Sequence, residues 1–224
     1  MSMRFVRRRG GRGLGLRALV GQVFEGAEGA ALRHFKTLCE NLVGGELVSK
    51  PDVVSCVKET EAVGSLDDYV DAFHGFVSEW KTALRKPVEI VLENRLLGGW
   101  SETSSITYDP EDDEYSIYAK LYSECGVEPR DVEQVKSETI SMEERMPFPL
   151  DVAVKAEGDV DQNPATDEFV GVGEAWASMP RSKVRSAYAA PELREVARKV
   201  VDMASRIAEE AQEKLIVPAE SEWW

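Results

Sequence analysis

Histidine is almost missing from this chain: of 224 residues only His34 and His74 are imidazoles, and neither has a second His or a Cys at a usual ligand spacing. That scarcity argues against a structural or catalytic zinc site. Cysteine is nearly as scarce. Cys39, Cys56 and Cys125 are odd in number, widely separated and in no CxxC pair, so they read as reduced thiols in a reducing compartment, with Cys39 and Cys56 as small core residues among apolar neighbours. No uninterrupted apolar run of about 18 residues occurs, which argues against a transmembrane helix. Complete catalytic signatures are also wanting. Gly10-Gly11-Arg12-Gly13 and Gly98-Gly99 do not join a strand to a helix with a following Lys-Ser/Thr, so they are not phosphate loops. Glu143 and Glu144 have no paired base or nucleophile. The run Asp109, Glu111, Asp112, Asp113, Glu114 lacks the Gly and terminal Glu of a calcium-binding loop and reads as a solvated hairpin tip. No catalytic, metal or cofactor-binding residue is therefore assigned, and the balance leans away from an enzyme.

The last absence is local. The first 24 residues contain no carboxylate but six arginines, Arg4, Arg7, Arg8, Arg9, Arg12 and Arg17, which leaves the remainder with 21 basic against 41 acidic groups. Leu16, Leu19, Val20, Val23 and Phe24 then fall on one helical face. An acid-free, Arg-rich amphipathic head has the character of a mitochondrial presequence, and this places the protein in the mitochondrial matrix. The segment Arg-Arg-Arg-Gly-Gly-Arg-Gly reads equally as an RNA-binding arm that gains affinity by counterion release, which would put the protein in the cytoplasm or a virion. A solvated basic tail is the plain alternative.

Residues 1–25 are accordingly taken as a basic head, 26–217 as a single α+β domain and 218–224 as an acidic, Trp-bearing tail. The expected architecture has N-terminal helices, a central, mainly antiparallel sheet and a long C-terminal helix packed on it. Ala30, Ala31, Phe35, Leu38, Cys39 and Leu42 keep helical spacing up to a Gly44-Gly45 stop. Pro51 with Val53, Val54 and Val57 suggests a short second helix. Ser65 with Asp68 resembles a capping box for a third, whose stripe is Leu66, Tyr69, Val70, Phe73, Val77, Trp80 and Leu84; Lys81, Arg85 and Lys86 suit its end, and Pro87 stops it. From Val88 the period changes to two. Residues 88–93, 105–108, 115–122, 132–140, 150–154 and 169–172 are the strand candidates, with 109–114 as a hairpin loop and the face of Ser116, Tyr118, Lys120 and Tyr122 turned to water. Short strand-to-strand connections favour an antiparallel sheet.

Residues 158–167 read as a surface loop. Within them Gly158-Asp-Val-Asp-Gln-Asn-Pro164 resembles the end of the ribosome-skipping 2A peptide family, which needs Gly-Pro next; here Ala165-Thr166 follow, so skipping is not implied. The last helix starts at Pro191 and carries an apolar stripe from Leu193 through Val196, Val200, Met203 and Ile207 to Leu215, with Pro218 ending it. Trp223 and Trp224 close the chain as candidate partner-binding residues. An acidic α+β body behind a presequence-like head is similar in organisation to the acidic mitochondrial-matrix protein family, although no motif matches residue by residue. The functional reading is a non-catalytic binding or assembly protein, a subunit of an organellar or nucleoprotein complex working through protein partners or self-association. Two alternatives stand beside it: a viral or phage structural, RNA-packaging protein with a basic arm, and an enzyme built on carboxylates that sequence does not reveal.

Overall fold

A computed structural model describes residues 16–61 and 63–219. Its centre is an eight-stranded sheet in the order β1-β2-β3-β4-β5-β9-β8-β7, made of β1 (Glu46–Ser49), β2 (Val54–Glu59), β3 (Val88–Arg95), β4 (Ser101–Asp109), β5 (Glu114–Tyr122), β7 (Ile140–Arg145), β8 (Ala153–Gln162) and β9 (Phe169–Pro180). All neighbours are antiparallel except β2 and β3, which are parallel and joined by the crossover helix α2 (Asp67–Trp80). Helices α1 (Leu16–Leu38), α2 and α3 (Pro191–Leu215) cover one face of the sheet. A two-stranded ribbon of β6 (Val132–Val135) and β10 (Ile216–Pro218) follows the end of α3. The α+β class and the docking of the long C-terminal helix are as the periodicity implies.

One core joins these layers. Alternate residues of the central strands (Val88, Ile90, Leu92; Ile106, Tyr108; Tyr115, Ile117, Ala119) meet the stripes of α2 (Val70, Phe73, Val77) and α3 (Leu193, Val196, Val200, Met203, Ile207). The aromatic stripe of α2 is thus core packing, with Phe73 fully enclosed against Phe35 and Tyr115. Trp80, at the helix end, is only partly buried and donates its indole N–H to His34 Nδ1 at 2.8 Å.

Helix α3 approaches the sheet over a path of small residues. Gly158 on β8 and Gly171 and Gly173 on β9 lie directly beneath the α3 backbone; a Cβ at Gly158 would stand 2.7 Å from the Ile207 carbonyl, and one at Gly171 or Gly173 would overlap the carbonyls of Ala208 and Ala204. Ala204, Ala208 and Ala211 supply the matching thin face of the helix.

Several expectations need correction. Residues 54–59 are strand β2, not a helix: Val54 and Cys56 face the core in a period-two pattern that suits β-branched valines. The N-cap position of α2 is Leu66 and not Ser65: a 3-10 turn over Val63–Leu66 precedes the helix, and Asp67 and Asp68 complement the dipole in its first turn. The helix ends at Trp80, before Arg85 and Lys86. Residues 132–140 divide between β6 and β7, which belong to different sheets. Residues 158–162 continue β8 instead of forming a loop, and the turn is confined to 163–168, where Asn163 Oδ1 accepts from Ala165 N–H at 2.9 Å. Strand β9 runs to Pro180 because its inward positions, Gly171, Gly173, Ala175 and Ala177, are small where α3 rests. Helix α1 is continuous from Leu16, across the 25/26 boundary, and passes through a π-helical turn (Cys39–Val43) into the left-handed Gly44 cap (φ 72°). Pro218 belongs to β10, not to a helix end. The cysteines differ most: Cys39 and Cys56 form a buried disulfide, and only Cys125 is a free, exposed thiol.

Candidate interaction surface

Three polar centres of the helical side, His74, Asp113 and Glu144, are engaged in holding the fold, whereas Glu192 Oε2 on α3 is buried with no hydrogen-bond partner among the described residues. His74 of α2 is fully buried; its Nε2–H donates to the Ser186 carbonyl at 2.7 Å and its Nδ1 accepts from the Tyr115 hydroxyl at 2.6 Å. The Ser186 carbonyl fixes the proton on Nε2, and in the neutral ring Nδ1 is then the acceptor for the Tyr115 hydroxyl. Burial lowers the His74 pKa below the ordinary imidazole value; the Ser186 bond opposes this, the Arg181 charge reinforces it, and the charges of Asp71 and Glu192 oppose it. A group with a depressed folded pKa contributes stability that is fully present above its unfolded value, about 6.5, and lost as pH falls through the folded value. We expect the melting temperature to fall below pH 6.5 more steeply in the wild type than in His74→Gln, which has no imidazole to protonate. Parallel pH profiles for the two would remove His74 from the acid response.

A second hub sits at the β4–β5 turn. Asp113, at φ 51°, accepts from the Tyr108 hydroxyl at 2.9 Å and from Arg181 Nε at 2.7 Å, with Lys81 Nζ 3.7 Å away. Partial burial opposes ionisation of Asp113, but the Arg181 and Tyr108 hydrogen bonds and the Lys81 charge hold its carboxyl below the usual range. The carboxylate run is therefore not wholly a solvated tip: Asp113 ties the hairpin to the ends of α2 and β9. Glu144 is similarly committed, to Lys199 at 2.5 Å and Arg206 at 2.8 Å on α3. Its neighbour Glu143 points to the opposite face of the sheet. Among the described residues, no group of three or more His, Cys, Asp or Glu side chains is placed to hold a metal ion.

The other face of the sheet differs in kind. No described helix packs on it, and its cross-strand register aligns Val57, Val91, Ser105, Tyr118, Trp176, Lys155 and Glu143 in one row from β2 to β7. Tyr118 and Trp176 stand directly opposite one another and are half-buried. Four residues along β5 from Tyr118, on the same face, Tyr122 stacks on Trp100 with centroids 4.7 Å apart. Between the aromatic pairs Lys120 bonds Glu174 at 3.0 Å; burial raises the Tyr118 phenol pKa and Glu174 raises it further. A groove of about 270 Å³ runs beside Trp176, Lys155 and Glu143. Carboxylates dominate the flanks: Glu93, Glu174 and Glu157 occupy the adjacent row, and Asp159 and Asp161 follow on β8. The face is an aromatic strip in an acidic border.

Sequence reasoning found part of this surface, since the outward turn of Ser116, Tyr118, Lys120 and Tyr122 was legible in the alternation of β5. It missed Trp100 and Trp176, whose partners come from register and not from spacing. The residues singled out for targeting or nucleic acid, Arg4, Arg7, Arg8, Arg9 and Arg12, lie outside the described residues, as do Trp223 and Trp224; Arg17 falls within α1, its side chain outside the description. No family model, curated protein or solved structure matches the chain.

Proposed function

We propose that this is a non-catalytic binding or assembly protein, a subunit of a larger complex, whose working surface is the uncovered face of the eight-stranded sheet. The observation that carries this reading is the aromatic strip of Tyr118, Trp176, Tyr122 and Trp100 on a face that no described helix occupies. Large, rigid aromatics are the side chains that dominate protein interfaces, because they bury much area at little ordering cost. The acidic flanks select the partner. A chain of net charge −14 repels nucleic acid from its body and steers toward proteins with basic surfaces. The polar centres of the helical face do not offer an alternative, because His74, Asp113 and Glu144 already have their hydrogen bonds filled from within. On the presequence reading of the head, that complex is in the mitochondrial matrix.

Affinity capture from the native source tests the proposal. Trp176→Ala and Tyr118→Ala each remove one member of a half-buried cross-strand pair that lies outside the core, and the pair interaction itself is worth about 0.2 to 1 kcal/mol in stability. Removal of an interface anchor costs about 2 kcal/mol or more in binding. Both variants should therefore fold like wild type and lose their captured partners. Undiminished capture by folded variants would move the working surface elsewhere.

A further inference from the structure

The loop between β7 and β8 presents a single aromatic to water. Phe148 is 90 % exposed, more than any other large apolar side chain among the described residues. Its backbone is nonetheless tightly held. Met146 N–H donates to the Val152 carbonyl at 2.8 Å, Leu150 and Asp151 N–H both donate to the Pro147 carbonyl at 3.1 and 3.2 Å, and Lys183 Nζ donates to the Leu150 and Asp151 carbonyls at 2.5 and 3.0 Å. Arg145 Nε closes the loop on Asp151 at 2.6 Å. A phenylalanine displayed on a fixed loop has already lost the backbone freedom that binding would otherwise remove, so it is preorganised as an anchor.

Immediately beside it, between the end of β7 and the first half of α3, lies an open cleft of about 440 Å³ with Met146 and Pro147 among its walls. Its lining carries three carboxylates, Glu144, Glu195 and Asp202, and three cations, Arg145, Arg198 and Lys199. Three against three leaves this patch neutral on a chain of net charge −14, whose copies repel one another through that excess of carboxylates. A patch of zero net charge with both signs interleaved is where two copies can meet without that penalty. Anchor and cleft also adjoin on the same molecule. A two-fold contact makes any such pair of features reciprocal: the anchor of each copy reaches the cleft of the other, side by side across the axis.

From this arrangement we infer that the protein self-associates as a two-fold dimer in which Phe148 of each copy seats in the Met146–Pro147 cleft of a second copy. The contact is separate from the uncovered sheet face and does not depend on the function proposed for that face. One aromatic anchor and one charge-balanced rim make a small interface, so the dimer is concentration-dependent.

Sedimentation velocity across a range of concentrations tests it on the full chain. Wild type should shift from monomer to dimer as concentration rises. Phe148→Ala should weaken that association by at least about tenfold, and Glu195→Lys, which gives two facing rims the same positive sign, should weaken it likewise. Neither side chain supports the core, so circular dichroism and melting should match wild type. A wild type that stays monomeric throughout overturns the inference. So does a dimer indifferent to both substitutions, and so does one abolished by Trp176→Ala but untouched by Phe148→Ala, which would assign self-association to the sheet face.

Discussion

Gly173→Ala is expected to destabilise the protein by more than about 4 kcal/mol, and Gly171→Ala with it should leave no folded population. Neither glycine has a left-handed φ, so the cause is space and not conformational freedom. A methyl group at either position would overlap an α3 carbonyl, at Ala204 or Ala208. Backbone on both sides of the clash cannot rotate away as a flexible side chain could, so the helix must lift. Lifting α3 opens the contact that buries Val200, Met203, Ile207 and Ala211 at once. Single overpacking changes ordinarily cost about 1 to 3 kcal/mol; a displaced 25-residue helix exceeds that range. Gly75→Ala is the control, because a Cβ there meets nothing within 4 Å in the middle of α2, and the change should stabilise by about 0.5 to 1 kcal/mol. Urea unfolding of the three variants gives the comparison. A loss under about 1 kcal/mol at Gly173 would mean that α3 does not rest on β9 as described.

That same stripe explains where sequence reasoning stopped. Large apolar residues at strict intervals made α2, β3, β5 and α3 legible, because a helix or strand with one buried face must repeat with the period of its backbone. Strand β9 escaped beyond Val172 because its inward residues are Gly and Ala, which look like loop or helix by composition yet are dictated by the helix above them. Strand β2 was mistaken for a helix since Val53, Val54 and Val57 fit both periods, and its parallel pairing with β3 is a tertiary fact. The surface was half visible. Alternation on β5 exposed Tyr118 and Tyr122, but only the register brings Trp176 beside Tyr118, and only the β3–β4 turn at Gly98 and Gly99 (φ 90° and 83°) carries Trp100 round to Tyr122. His74 could be placed on a helix from sequence; that its two nitrogens are taken by Tyr115 and Ser186, 41 and 112 residues away, could not.

Opening the Cys39–Cys56 bridge should cost about 3 kcal/mol. The two sulfurs join the π-helical turn after α1 to β2 across a sequence separation of 17, and a loop near that length loses about 3 kcal/mol of unfolded-state entropy when closed. Edge strand β1 lies inside the loop, held on the sheet by β2 alone, so it should be the first element to loosen. Cys39→Ala with Cys56→Ala leaves only small apolar groups in the buried site, and in a domain of this size the expected loss is about 6 to 12 °C in melting temperature. A thiol reductant should lower the wild type toward the double variant and leave the double variant unchanged. Cys125→Ser should change nothing, since that thiol is exposed and unbridged. The outcome bears on location as well as stability. Disulfides persist in oxidising compartments and are reduced in most others, so a presequence that delivers the chain to a reducing matrix would deliver it in the weaker form. Alkylation of the protein from its native source, unfolded in denaturant without reductant so that the two buried cysteines are reached, decides between these states: one reactive thiol, Cys125, supports a closed bridge, whereas three would mean that Cys39 and Cys56 are paired in space but not in covalent bond.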